Sequence, residues 1–89
     1  MKSILTVIGK DQVGIIAGIS NELAKYNINI LNVNQTIMDG YFTMIMMLDQ
    51  KEGSSDFDQV KKAVVAKGKE LKVDVKIQRE EIFNSMHSL

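Results

Sequence analysis

A two-layer α+β sandwich, four antiparallel strands backed by two helices, is the fold this chain predicts, and three observations carry the prediction. Apolar residues recur with the strand period in four segments and with the helical period in two, in the order strand, helix, strand, strand, helix, strand. Asp39-Gly40 stands between the two middle strands and is the strongest hairpin signal in the chain, because a type I′ turn needs positive φ. No proline and no low-complexity linker divides the 89 residues, so a single core has to serve all the elements.

The first strand, β1, is expected over Lys2–Lys10, where Ser3-Ile4-Leu5-Thr6-Val7-Ile8 is a β-branched apolar run bounded by Gly9. The first helix, α1, is expected over Val13–Tyr26: Ile15, Ile16, Ile19 and Leu23 share one face, and turn-prone Asn27 follows. A second strand, β2, covers Ile28–Met38, with Asn29, Asn32, Asn34 and Gln35 interleaved among Ile30, Leu31, Val33 and Ile37. Asparagine is depleted in strands, which places this one at a sheet edge or gives its amides a task.

The return strand β3, Tyr41–Asp49, is apolar on both faces: Phe42, Met44, Met46 and Leu48 alternate with Tyr41, Thr43, Ile45 and Met47. A sheet covered by helices on one side should carry polar residues on the other. Something is therefore expected to cover the open face: the chain's tail, a second copy, or both. Ser55 and Asp58 have capping-box spacing ahead of a second helix, α2, over Asp56–Leu71, whose stripe is Phe57, Val60, Val64 and Leu71. Gly68 either ends that helix or lets it approach the sheet closely.

The last strand, β4, Lys72–Gln78, alternates Val73, Val75 and Ile77 with Asp74, Lys76 and Gln78, and residues 80–89 form a short amphipathic tail bearing Ile82, Phe83, Met86 and Leu89. The expected core contains Ile4 or Val7, Ile19, Leu23, Ile45 or Met46, Phe57, Val64 and Val75. Two right-handed crossovers around one hairpin put both helices on one face, the ferredoxin-like βαββαβ arrangement. The chain reads as one domain, with its core in residues 1–78 and the helical tail behind it.

Composition removes several classes of function. Eleven basic and eleven acidic side chains cancel, against a nucleic-acid surface, where a basic stripe supplies most of the affinity. Without cysteine there is no thiol nucleophile, disulfide or thiolate metal site, and with His87 as the only histidine no His-rich zinc site forms within one chain. No cofactor is expected. No stretch reaches membrane-spanning length, and Met1-Lys2-Ser3 leads into β1 without an apolar signal region, so a cytoplasmic protein is expected. A phosphate loop needs Lys and Ser or Thr after its second glycine, whereas Gly14 is followed by Ile15-Ile16. No nucleophile–base pair is composed around one terminal histidine, so the chain is expected not to be an enzyme.

What remains is the loop between β1 and α1. Gly9-Lys10-Asp11-Gln12-Val13-Gly14-Ile15 is a glycine-bounded polar segment opening a helix, and a helix start offers free N–H groups and positive potential to a small anion or carboxylate. Simpler roles stand beside this one. Asp11 suits an N-cap, Gly14 suits close helix-to-strand packing, and Asn29 suits an edge strand. Asn32, Asn34 and Gln35 fit solvated edge or interface positions, and Met44, Met46 and Met47 fit core and dimer packing.

With that loop and the later Asn27-Ile28-Asn29-Ile30, the chain resembles the ACT domains, small regulatory modules of amino-acid metabolism. Asp11, Gly14 and Ile15 match the family's polar residue, glycine and aliphatic, and Asn29 and Ile30 match the Asn-Ile pair that opens its second strand. The likeness extends through Gln78 and is nearest to free-standing single-domain members and to the halves of the glycine cleavage system transcriptional repressor. It implies an amino-acid ligand at the interface of paired domains, where the loop before the first helix meets the start of a partner's second strand. Carried onto this chain, the ligand-binding residues are Asp11, Gln12, Val13, Gly14, Asn29 and Ile30. Some serine-binding members carry Asn where Asp11 stands and His where Gly9 stands; an anion at Asp11 repels a carboxylate and suits an ammonium group, which implies another ligand or a reversed pose.

The function expected is non-catalytic sensing of a small, amino-acid-like molecule through ligand-linked self-association as a homodimer, with no direct nucleic-acid or membrane partner. The alternative is a protein–protein interaction module that uses the apolar open sheet face and takes no small ligand.

Overall fold

The computed structural model describes residues 1–10, 13–51 and 56–81. Its elements run β1 Lys2–Lys10, α1 Ile15–Lys25, β2 Ile28–Met38, β3 Tyr41–Gln50, α2 Phe57–Glu70 and β4 Asp74–Arg79. The sheet is antiparallel throughout, in the order β2-β3-β1-β4, so β2 and β4 are its edges. Of the tail, Glu80 and Glu81 begin a helical turn, and residues 82–89 lie outside the described residues.

Each boundary has a local cause. The β2–β3 turn is set by Asp39 and Gly40, with φ of 51° and 80°, the two positive values a type I′ hairpin needs. α1 ends as the Tyr26 and Asn27 N–H groups donate to the carbonyls of Leu23 and Ala24, and Asn27 at φ 56° turns the chain into β2. Lys72 does the same after α2 at φ 62°, which delays β4 to Asp74. α2 is N-capped by Asp56, one residue after the Ser55 of the expected capping box; Ser55 itself lies outside the described residues.

The core lies between the sheet and both helices. It joins Leu5 and Val7 of β1, Ile15, Ile19 and Leu23 of α1, Phe42, Met44, Met46 and Leu48 of β3, Val60 and Val64 of α2, and Val73, Val75 and Ile77 at β4. α1 borders β2, α2 borders β4, and the helices touch each other, as expected for one shared face. Gly68 stays inside α2: an added Cβ would collide with Val75, so glycine lets the helix sit against β4. Gly9 makes the same accommodation for Val73, at 2.7 Å. Phe57 is half-buried rather than core, packing on the cluster's margin with the Arg79 guanidinium 5.2 Å from its ring centre.

β2 departs from a simple alternation. Its pairing with β3 slips between Ile30 and Asn32, leaving Leu31 as an extra residue in a β-bulge. The bulge resets the parity, so Ile28, Ile30, Val33 and Ile37 all fall on the helix side, opposite Gln50, Leu48, Met46 and Phe42. Asn29, Asn32, Asn34, Thr36 and Met38 face the open side.

Candidate functional site

The candidate residues divide between the two ends of the molecule. β1 ends at Lys10 opposite Tyr41, and Tyr41 in turn pairs with Met38, so the loop into α1 lies at the hairpin end of the sheet. There Val13 is fully exposed and Gly14 is the N-cap of α1 in the left-handed region, φ 95° and ψ −2°. The helix begins with the Gly18 N–H donating to the Gly14 carbonyl at 2.8 Å. Asp11 and Gln12 lie outside the described residues.

Two simpler expectations for this loop give way. The N-cap is Gly14, not Asp11, and Gly14 brings no side chain to the first-turn N–H groups, nor does the first turn hold an acidic residue. Close packing is not why residue 14 is glycine: among the described residues nothing lies within 4 Å of an added Cβ there, and the positive φ is the reason. The packing glycines are Gly9, Gly18 and Gly68.

Asn29 and Ile30 sit at the opposite end. Asn29 is exposed and pairs with Asp49, which pairs on its other side with Lys2, and Ile30 pairs with Leu48. The amino-terminal ammonium lies 3.6 Å from the Asp49 carboxylate and donates to the Gln50 carbonyl at 2.8 Å. Between the two groups runs α1, whose 11 residues span about 16 Å. One chain therefore keeps the loop and the Asn29–Ile30 pair apart.

Of the two apolar faces of β3, only one is left uncovered, and only in part. Phe42, Met44, Met46 and Leu48 are buried under the helices, while Tyr41 and Ile45 are exposed on the open face. The larger apolar exposure is on β2, where Ile30, Leu31, Val33, Ile37 and Met38 are all exposed along an unpaired edge, with Val13 and Ile16 exposed at the start of α1. The signal was present in the sequence, as aliphatics interleaved with amides, but the bulge that gathers Ile30, Val33 and Ile37 onto one side was not. Among the described residues, no three His, Cys, Asp or Glu side chains come together as a metal site. No described helix is long and apolar enough to cross a membrane.

A βαββαβ sandwich with a glycine-opened first helix and an Asn-Ile start to its second strand is an ACT architecture, and comparison with known proteins agrees. The chain belongs to the ACT domain family, whose pattern it matches over residues 3–78. A UPF0237 protein of Listeria innocua is 62% identical to it over 89 residues, covering 100% of both chains. A solved ACT domain protein from Streptococcus pneumoniae superposes with a TM-score of 0.82 at 40% identity, covering 93% of each chain. The fold likeness also reaches a candidate glycine cleavage system transcriptional repressor, with a TM-score of 0.73 at 17% identity over 88% of this chain and 44% of that one. ACT domains are in general regulatory domains that bind small molecules.

Proposed function

We propose that this protein is a non-catalytic sensor of a small amino-acid-like molecule, bound between two copies of the chain. The observation that supports this reading is the placement of Gly14 and Asn29 at opposite ends of α1, beside an apolar edge strand whose outer side pairs with no strand among the described residues. Two β2 strands laid antiparallel about Val33, the middle of Ile28–Met38, set Asn29 of one copy beside Ile37 of the other. Ile37 lies at the hairpin end, with the loop. Each copy's Asn29 and Ile30 then approach the other copy's Asp11, Gln12, Val13 and Gly14, and two equivalent sites form about one two-fold axis.

In such a site the helix start presents backbone donors to a carboxylate, and Asp11 with Asn29 holds the ammonium or a polar side chain. An analogue lacking one of these groups leaves a buried partner unpaired, which is how the site would discriminate. Because the ligand contacts both copies, it favours the dimer over the monomer by its difference in affinity for the two.

The reading is tested by thermal denaturation against the twenty amino acids. A true ligand at one hundred times its dissociation constant should stabilise by about 2.7 kcal/mol, or roughly 10–20 °C in a domain of this size. Asn29→Ala and Asp11→Lys should each abolish that shift, and Asn29→Ala, at an exposed position, should leave the unliganded fold intact. An equal mixture of the two variants should recover about a quarter of the binding capacity, because about half of the randomly paired dimers are mixed and each of these keeps one of its two sites with both halves intact. Recovery of none, with both variants folded and dimeric, would place the site within one chain and overturn the proposal.

A further inference from the structure

The margin that α1 and β2 form together carries no charge. Neither residues 13–21, which run from the loop through the first turns of α1, nor β2 itself, Ile28–Met38, contains an acidic or basic side chain. Along the helix side of β2 exposure rises steadily toward the hairpin, from 8% at Ile28 through 37% at Ile30 and 43% at Val33 to 58% at Ile37. Gln35, between the last two, is the one polar residue on that side. The least covered aliphatic surface of the strand is therefore at the end where α1 begins. α1 adds to it. Gly18 faces α2, where Leu71 and Lys67 are the neighbours of an added Cβ. Ile16 stands two residues back, about 200° round the helix, which puts it on the flank away from α2, above the β2 that α1 borders. It too is exposed.

We infer that the amino acid bound between two copies has an aliphatic side chain, seated on Ile16 and Ile37 of one copy and closed over by Ile30 of the other. The inference rests on the shared site proposed above and narrows its ligand. A charged side chain in this place would give up its water and meet no opposite charge from residues 13–21 or from β2. A hydroxyl or amide would exchange water for methyl groups, with Gln35 as the one polar side chain on that side of the strand. An aliphatic side chain loses no hydrogen bond on leaving water and covers surface that is otherwise wet. The carboxylate still goes to the start of α1. Of the two roles open to Asp11 and Asn29, holding the ammonium is then the one they serve.

Calorimetric titration of the full-length protein with each of the twenty amino acids tests this. Leucine, isoleucine, valine or methionine should bind tightest, at least roughly tenfold tighter than alanine or serine, since each methylene in an apolar pocket is worth about that much or more. Ile16→Ser should weaken leucine roughly tenfold more than it weakens alanine. Tightest binding by any other amino acid, abolished by Asn29→Ala, would overturn the inference and leave the shared site standing. Equal losses for leucine and alanine in Ile16→Ser would overturn it as well, because the side chain then lies elsewhere. Binding of none of the twenty, or binding that Asn29→Ala leaves intact, would overturn the shared site and this inference together.

Discussion

A methyl group added at Gly14, Gly18 or Gly68 meets three different situations, and the differences make a test of the fold. At Gly68 it runs into the Val75 side chain and lies 3.1 Å from the Val73 carbonyl oxygen, both held by the strand. Alanine there gains about 1 kcal/mol of helix propensity but overpacks a stiff contact, at about 1–3 kcal/mol. Gly68→Ala should therefore be destabilising. At Gly18 the nearest atom is the end of Leu71, at 2.9 Å, a flexible and half-buried side chain that yields, so Gly18→Ala should be close to neutral. Gly14→Ala meets no atom of the described residues within 4 Å, and its cost is that of the left-handed backbone, about 1–2 kcal/mol. Urea midpoints of the three variants check the order, and a neutral Gly68→Ala would contradict the close seating of α2 on β4.

At the level of elements, periodicity and turn residues were enough to find all six. β1 and β2 match their expected bounds, and α1 starts two residues later than expected because the chain is still turning through left-handed Gly14. β4 is displaced because Lys72 adopts a positive φ that no glycine announces. The bulge at Leu31 was hidden for a related reason: an apolar residue among apolar and amide neighbours gives no mark of an unpaired position. The separation of the candidate site into two ends was equally hidden, since it follows from strand pairing and not from spacing along the chain. Ile37 tests the element that the bulge creates. It is 58% exposed on the helix side of β2, so Ile37→Lys should leave the fold's stability within about 0.5 kcal/mol. The same substitution should weaken self-association at least tenfold, about 1.4 kcal/mol, because it sets a charge in each copy's edge contact. Sedimentation across a concentration series reads the second effect and denaturation the first; unchanged association would move the contact away from β2.

Taken as a whole, the molecule has two sheet edges of opposite character. β2 offers 11 residues, five of them exposed aliphatic or methionine side chains, while β4 offers six, with Asp74, Lys76 and Arg79 exposed. A short edge with outward charges resists pairing, whereas a long apolar one invites it. In the proposed dimer each copy would have one adhesive margin, and the two-fold pairing would use both members' margins at once. Growth then stops by geometry: an eight-stranded sheet bounded at each end by β4 has nowhere to add a third chain. The assembled mass should level off at twice the monomer's however concentrated the solution, in light scattering as in sedimentation. A chain with two β2-like margins would instead polymerise without limit, so in the proposed dimer the charges on β4 would set the size of the assembly as surely as the aliphatics on β2 would begin it.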